Sequence, residues 1–250
     1  MKKTPLHLFA CLFLGFAGYA AGQEKTIRTD LMPIGLGDSL VAWYWQKGKA
    51  VKLEVFETAM GSPVFYRGPR ELKLFATPED ARPRAADEKP VTPLAVAKLP
   101  EGDRRVLLLC VTPKPGARPM LKAYGVSDDK LKAGDYRFFN FSPAHVVGVI
   151  GGQKIALRPG ATVDASSADW RGKGGDLEVQ LGYKEGDKIR LIYSTIWGHS
   201  EARRNYIFLV ASGDENQPLD VRKFHDVPGV QSLGYEPDGS PAEGAEADGG

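Results

Sequence analysis

The residues that could do acid–base chemistry are three histidines, His145, His199 and His225, which lie far apart in the sequence after residue 22. A histidine beside a carboxylate is a common acid–base pair, so His199 or His225 with Asp226 would make a hydrolase site. The chain has no His-x-His, His-Glu-x-x-His or Cys-x-x-Cys spacing, no Gly-x-Ser-x-Gly, and no phosphate or dinucleotide loop. We therefore predict neither a metal site nor a cofactor. We interpret the protein as non-enzymatic, with the hydrolase as one alternative.

Binding chemistry is suggested by a polar, glycine-rich segment, SSADWRGKGGD, that holds Trp170 between acidic and basic residues. Loops often carry function, and a loop tryptophan beside Arg171 and Lys173 would suit an acidic saccharide or a partner protein. The alternative is that Trp170 anchors the loop to the core. His199, Arg203 and Arg204 lie in the connection STIWGHSEARRNY and would form a small basic edge, or only a solvated hairpin tip. The candidate binding residues are Trp170, Arg171, Lys173, His199 and Arg203.

A second aromatic candidate is the pair Trp43 and Trp45, which share one face of the predicted strand LVAWYW because side chains alternate along a strand. If exposed, the two indoles would stack on sugar rings, and the protein would be a carbohydrate-binding module. If buried, they would fill a core, and the pattern favours this second interpretation.

The elements that must position these residues are strands. Between residues 40 and 224, short alternating or apolar segments recur at intervals of about ten residues, separated by Gly, Pro, Asp and Asn, which is typical of an all-β protein. We count about fourteen candidate strands and read GLGDS, at 35–39, as a loop before a strand. The Pro-rich stretch 77–93 is expected to be a long, solvated and mobile loop.

The best-defined local structure is GDYRFFNFSPAHVVGVIGGQKIALRPG, at 134–160. Gly151-Gly152 suits a two-residue hairpin turn, and this turn pairs Ile150 with Gln153 and Val146 with Leu157. Asn140 and Ser142 fall at a strand end, where such side chains commonly satisfy backbone groups.

The organisation along the chain is read from its composition. Residues 1–22 begin with Lys2 and Lys3 before an apolar run, as in a secretory signal peptide. We predict two tandem antiparallel β-sandwich (Ig-like) domains, at 23–126 and 127–225, and a disordered acidic tail at 226–250. The sequence leaves open whether the two halves form one core or two.

Cysteine and charge set further limits. Cys110 is the sole cysteine after residue 22, so no disulfide forms within that part of the chain. Cys110 ends the apolar run VLLLC, which favours a buried thiol. The 31 Lys and Arg of residues 23–225 show no dense cluster, so a nucleic-acid partner is not expected. After cleavage of the signal peptide no transmembrane span is expected.

The motif Arg137-Phe138-Phe139-Asn140-Phe141-Ser142, followed by an apolar hairpin and Pro159-Gly160, resembles a pattern in bacterial exported β-sandwich (Ig-like) domains of unknown function. Such domains include envelope accessory proteins and modules of polysaccharide export machinery. The resemblance therefore implies a binding or assembly module of the periplasm or cell surface, whose partner is an envelope protein or a polysaccharide. It implies no catalytic residue.

Overall fold

The computed structural model describes residues 26–112, 116–126, 129, 131–170, 175–186, 188–212, 214 and 218–228. Over these residues the chain is all-β, with sixteen strands, one short α-helix and one 3-10 turn. The predicted signal peptide, the boundary residue Ser127 and the tail beyond Pro228 lie outside the described residues. Within the described part, no helix has the length and apolar character needed to cross a membrane.

The first half of the structure contains eight strands and the helix. Their bounds are β1 (Thr26–Leu36), β2 (Leu40–Gln46), β3 (Lys49–Val55), β4 (Val64–Pro69), β5 (Glu71–Leu74), α1 (Pro78–Ala81), β6 (Ala95–Lys98), β7 (Arg105–Val111) and β8 (Met120–Gly125). The first inner sheet has the order β4-β1-β7-β8. The first outer sheet consists of the hairpins β2-β3 and β5-β6, which are linked where Trp43 pairs with Phe75.

The second half repeats this arrangement. Its strands are β9 (Tyr136–Asn140), β10 (Val146–Ile150), β11 (Gln153–Leu157), β12 (Thr162–Ala165), β13 (Asp176–Glu185), β14 (Lys188–Gly198), β15 (Arg204–Ala211) and β16 (Leu219–Asp226). The second inner sheet has the order β12-β9-β15-β16 and the second outer sheet β11-β10-β13-β14. Across that link the first outer sheet has the order β3-β2-β5-β6. When eight is added to each strand number, the orders of the two sheets in the first half become those of the second half.

Three apolar cores hold the four sheets together. The first core lies between the first outer and inner sheets, and the second core lies between the corresponding sheets of the second half. The third, which we call the joining core, combines residues of β1 and β7 with residues of β9, β15 and β16. The two inner sheets therefore pack against each other, and the two halves share a core in addition to having one each.

This layering explains why the central inner strands β7 and β15 contain long apolar runs. Along β7, Leu108 and Cys110 contribute to the first core, whereas Leu107 and Leu109 contribute to the joining core. A strand buried on both faces has no solvent side, so it reads as a continuous apolar run rather than as an alternation. Burying each such side chain contributes roughly 1.5–3 kcal/mol.

A polar network also joins the halves. Arg204 is fully buried and donates from Nη1 to the carbonyl of Val126 at 2.7 Å and from Nε to Oδ1 of Asp226 at 3.0 Å. Arg105 of the first half reaches the other Asp226 oxygen at 3.4 Å, and Tyr206 donates its hydroxyl to Oδ1 at 3.2 Å. Burial raises the pKa of Tyr206, and the negative charge of Asp226 adds to this shift.

The hairpin prediction is confirmed. Residues Val146–Ile150 pair with Gln153–Leu157 in the expected register, and Gly151 and Gly152 have φ values of 52° and 88°. Asn140 and Ser142 have the expected backbone role: the Asn140 amide donates to the carbonyl of Leu157 at 3.1 Å, and its oxygen accepts from the Ser142 amide at 3.0 Å.

Several expectations are wrong in detail. β1 and β12 were not predicted as strands, and Gly35 and Leu36 of the supposed loop belong to β1. Pro33 has no amide N–H to donate, and β1 accommodates it because no ladder bond is needed from that position. The pairing with β4 ends at Leu31, and the amide of Gly35, which faces the same side two residues later, donates to Phe56 rather than to β7. The sheets are not purely antiparallel, because β1 pairs parallel with β7 and β9 with β15.

Two segments predicted to be loop or tail are also structured. The stretch 77–93 contains α1, whose first turn is capped by Thr77, and Ala81 at its end is buried. Asp226, expected to begin the disordered tail, ends β16, with a side chain that is 9% exposed. α1 packs against the first outer sheet, and Asp226 pairs with Arg204. Both polar segments are therefore fixed by tertiary contacts, which amino-acid composition does not reveal.

Candidate functional site

Trp170 lies against the second core. It is 5% exposed, donates its indole N–H to the carbonyl of Gly151 at 2.8 Å, and packs edge-on against Tyr136 at 5.8 Å. A side chain so enclosed offers no face for a ligand to stack on. Arg171 and Lys173, the cations predicted to accompany it, lie outside the described residues.

The structure brings His199 to Trp170, with ring centroids 5.9 Å apart, and to the Tyr136 hydroxyl, which lies 3.3 Å from Nδ1. Burial raises the pKa of Tyr136 to about 12, so this phenol stays protonated at neutral pH. His199, Trp170 and Tyr136 therefore form an aromatic cluster at one end of the second core.

Arg203 is separate from this cluster and exposed. It lies near His225 and Lys223 of the neighbouring strand β16. Partial desolvation lowers the pKa of His225, and the charges of Arg203 and Lys223 lower it further, while Asp226 opposes the change. Desolvation and Arg203 also lower the pKa of Lys223. The predicted basic edge of His199, Arg203 and Arg204 is therefore wrong: Arg204 is fully buried, His199 belongs to the aromatic cluster, and Arg203 lies instead beside residues of β16.

The carboxylate named for the hydrolase alternative, Asp226, is bonded to Arg204, Arg105 and Tyr206. His225 and Asp226 are neighbours on β16, so their side chains project to opposite faces. The adjacent histidine is therefore directed away from this carboxylate.

Trp43 and Trp45 do not lie in the core, where the sequence pattern favoured placing them. Ala42 and Tyr44 of β2 belong to the first core, whereas Trp43 and Trp45 lie on the opposite, outer face and are half-buried. The prediction that the two indoles fill the core is therefore wrong. They form a partly exposed aromatic surface on the first outer sheet.

The segment 77–93, which we call the covering loop, lies over part of this outer sheet. α1 packs against β2 and β3, and Thr77 accepts a hydrogen bond from the Asp80 amide at 3.1 Å. Arg118, from the connection between β7 and β8, donates to the carbonyl of Leu94 at 2.9 Å. The covering loop is therefore attached at its start and directly after its end.

Ion pairs hold the middle of the covering loop. Glu88 accepts from Arg82 at 2.9 Å and from Arg84 at 3.4 Å, and Arg84 also reaches Asp80 at 3.4 Å. The pKa of Glu88 is lowered, because slight desolvation, which raises it, is outweighed by the hydrogen bonds and charges of the two arginines. Such exposed pairs contribute little stability singly, but here they shape one loop together.

A groove of about 480 Å³ lies between the covering loop and the strands of the first half, and we call it the aromatic groove. Its floor includes the half-buried rings of Trp45 and Phe75. Its polar lining comprises Glu71, Lys73, Asp80, Arg82 and Arg84. Four proline rings and five further side chains complete the lining: Pro69, Pro83, Pro90, Pro93, Tyr44, Tyr66, Leu72, Ala81 and Val91.

Sequence reasoning identified Trp45 but missed the groove, because its charged wall comes from a loop that was expected to be mobile. The available signal was the cap Thr77 before Pro78, Glu79 and Asp80, which is typical of a helix start.

The described part of the chain brings together no group of three or more His, Cys, Asp or Glu side chains suited to a metal ion. No protein-family model matches the chain, and no curated protein matches it either.

Proposed function

We propose that the protein is an exported, non-enzymatic binding module of the cell envelope, and that its ligand is a saccharide chain bound in the aromatic groove. The observation that carries the proposal is the half-buried indole of Trp45 in a groove with charged walls. A sugar ring presents C–H groups on its face and hydroxyls at its edge. An aromatic floor with polar walls complements both.

The charges favour a neutral saccharide. The Nζ atom of Lys73 lies 3.1 Å from Oε1 of Glu71. Arg82 and Arg84 are each paired with carboxylates of the covering loop. A groove in which every cation has a nearby carboxylate provides donors and acceptors for hydroxyl groups without a strong excess of positive charge. An acidic saccharide would lose solvation without finding a cation that is not already in an ion pair.

The proposal includes the wider predictions from the sequence. The signal peptide supports export, and the resemblance of residues 134–160 to exported domains supports an envelope location. The repeated strand order supports tandem β-sandwich domains of Ig-like type, here packed through a joining core. A polysaccharide of the envelope would be the natural source of the ligand.

The test is a calorimetric titration of the protein with two neutral hexasaccharides, the fully N-acetylated chitohexaose and cellohexaose, and with a hexauronate. At least one neutral hexasaccharide should bind, and Trp45→Ala should weaken its binding about tenfold or more, because ring stacking is worth on the order of 1 kcal/mol beyond the area buried.

The matched control is Trp43→Ala. Trp43 lies on the same outer face of β2 and is also half-buried, but it does not line the groove. We expect its loss to leave the affinity within about twofold of the wild-type value, a change of under ~0.5 kcal/mol. Equal losses for the two variants, or tighter binding of the hexauronate than of either neutral sugar, would contradict the proposal.

A further inference from the structure

The strand β14 differs from its counterpart in the first half in length and setting. β14 has 11 residues, whereas β6, at the same place in the first outer sheet, has 4. β14 is the last strand in the order β11-β10-β13-β14. One side of its backbone therefore faces no other strand of the described chain. An edge of this length offers a row of N–H and C=O groups for a further strand to pair with.

The same strand exposes large apolar side chains. Ile189, Leu191 and Ile196 are 65%, 57% and 65% exposed. The register shifts between Leu181 and Gly182 of β13, so that Leu181 pairs with Tyr193 and Gly182 with Leu191. Such a bulge reverses which face the following residues occupy. The bulge therefore turns Ile189 and Leu191 outward, where they border an apolar groove of about 530 Å³.

Charge is distributed unevenly along this edge. Three exposed cations, Lys184, Lys188 and Arg190, lie near the start of β14, and the sequence between them also contains Glu185 and Asp187, which leaves a net charge of +1 for residues 184–190. At the other end Asp176 and Glu178 of β13 pair with Gly198 and Ile196, and both carboxylates are exposed. The edge thus has a weakly basic end beside Ile189 and Leu191, which we call the basic end, and an acidic end beside Ile196.

We infer that β14 is a self-association surface, on which a second copy of this chain pairs its own β14 in antiparallel orientation about a two-fold axis. This arrangement sets the basic end of each copy beside the acidic end of the other, and Ile196 of one copy near the outward apolar residues of its partner. Two four-stranded outer sheets would become one continuous sheet of eight strands. A two-fold contact uses the same patch on both subunits, which a self-complementary edge satisfies.

The test is sedimentation velocity on the full chain over roughly 1 to 100 µM, the range of modest self-association. The wild-type protein should change from monomer to a species of twice the mass. The double variant Leu191→Lys and Ile196→Lys should weaken dimerisation at least about tenfold, because two lysines replace apolar contacts and add charge at the pairing edge. High salt should also weaken the dimer through screening.

The matched control is Val41→Lys with Met120→Lys, which adds the same charge at two apolar positions that are each 50% exposed but lie in the first half. This control should dimerise like the wild type, and both double variants should keep the far-ultraviolet circular dichroism of the native protein. A wild-type protein that stays monomeric throughout, or a β14 variant that dimerises as well as the control, would overturn the inference. The inference is independent of the aromatic groove, so Trp45→Ala should dimerise normally.

Discussion

In the first half of the molecule β5 and β6 are separated by residues 75–94, which include α1 and the covering loop, whereas in the second half only residues 186 and 187 separate β13 from β14. The strand order is otherwise the same. The covering loop gives the first outer sheet a groove with a charged wall. The second outer sheet has no such cover in the described chain and exposes apolar residues on a long edge strand.

The two halves differ mainly in their outer sheets. The two inner sheets have equivalent strand orders, and in each the two faces contribute to two different cores. The outer sheets have one free face each, so one connection can change their chemistry without disturbing a core. We therefore expect the two outer sheets to bind different partners.

The largest effect should come from the network that joins the halves. Asp226→Ala removes the carboxylate that compensates the fully buried Arg204, and an unpaired buried charge costs about 3–5 kcal/mol. Urea unfolding measures the loss. Asp220→Ala on the same strand removes a pair with Arg222 in which the aspartate is 43% exposed, and it should cost less than ~1 kcal/mol. Similar losses for both variants would show that the network does not join the halves.

An intermediate effect is expected at the hairpin turns, where the halves differ. Gly151, with φ of 52°, lies under Trp170, and an added Cβ would come within 2.5 Å of the indole nitrogen. The equivalent position of the first half is Lys47, which has φ of 48° and is exposed. Gly151→Ala should therefore lower the free energy of unfolding by about 1–3 kcal/mol more than Gly152→Ala, through overpacking.

Gly152→Ala is the control, because Gly152 also has positive φ but an added Cβ would meet no atom within 4 Å. Both substitutions carry the same kind of backbone strain, so the difference measures the contact with Trp170. Equal losses would mean that the Trp170 ring moves away at no cost, and that it is not fixed to the second core.

The smallest effect concerns Cys110, which probes the first half alone because no other cysteine follows residue 22. Burial raises the pKa of its thiol to about 11, so the native thiol should react with an aromatic disulfide reagent at least about a hundredfold more slowly than an introduced Val41→Cys. The unfolded thiol ionises at lower pH than the folded one, so stability should fall as pH rises from about 9 towards 11. Labelling of both cysteines at similar rates would contradict a closed first core.

Much of the fold was predictable, because hairpins and apolar runs are local signals. The pattern HVVGVI-GG-QKIAL fixed its own register through the turn and its alternating faces. β12 was missed because TVDA is only 4 residues long and mostly polar. β1 was missed because Pro33 and Gly35 indicate a loop, and the partners that make them acceptable come from distant segments.

The candidate site was less predictable for a related reason. Trp170 lies in a polar segment, and its burial depends on Gly151, which leaves room for the ring. Trp45 follows the alternation of its strand, but alternation alone does not say which face is the core. Which face becomes the core depends on partners from other strands. Tyr44 faces the first core because it packs edge-on against Tyr66 of β4, with ring centroids 5.6 Å apart. Long-range packing of this kind leaves little trace in a single sequence.

The most direct measurement is nuclear magnetic resonance of the protein labelled with ¹⁵N at its tryptophan indoles, of which the chain has four. Each indole N–H is assigned by substitution, and the protein is titrated with the neutral hexasaccharide that binds most tightly. The account predicts a large shift for Trp45, a small one for Trp43 and none for Trp170 or Trp197. A shift confined to Trp170, with Trp45 unchanged, would place the binding site in the second half and contradict the account.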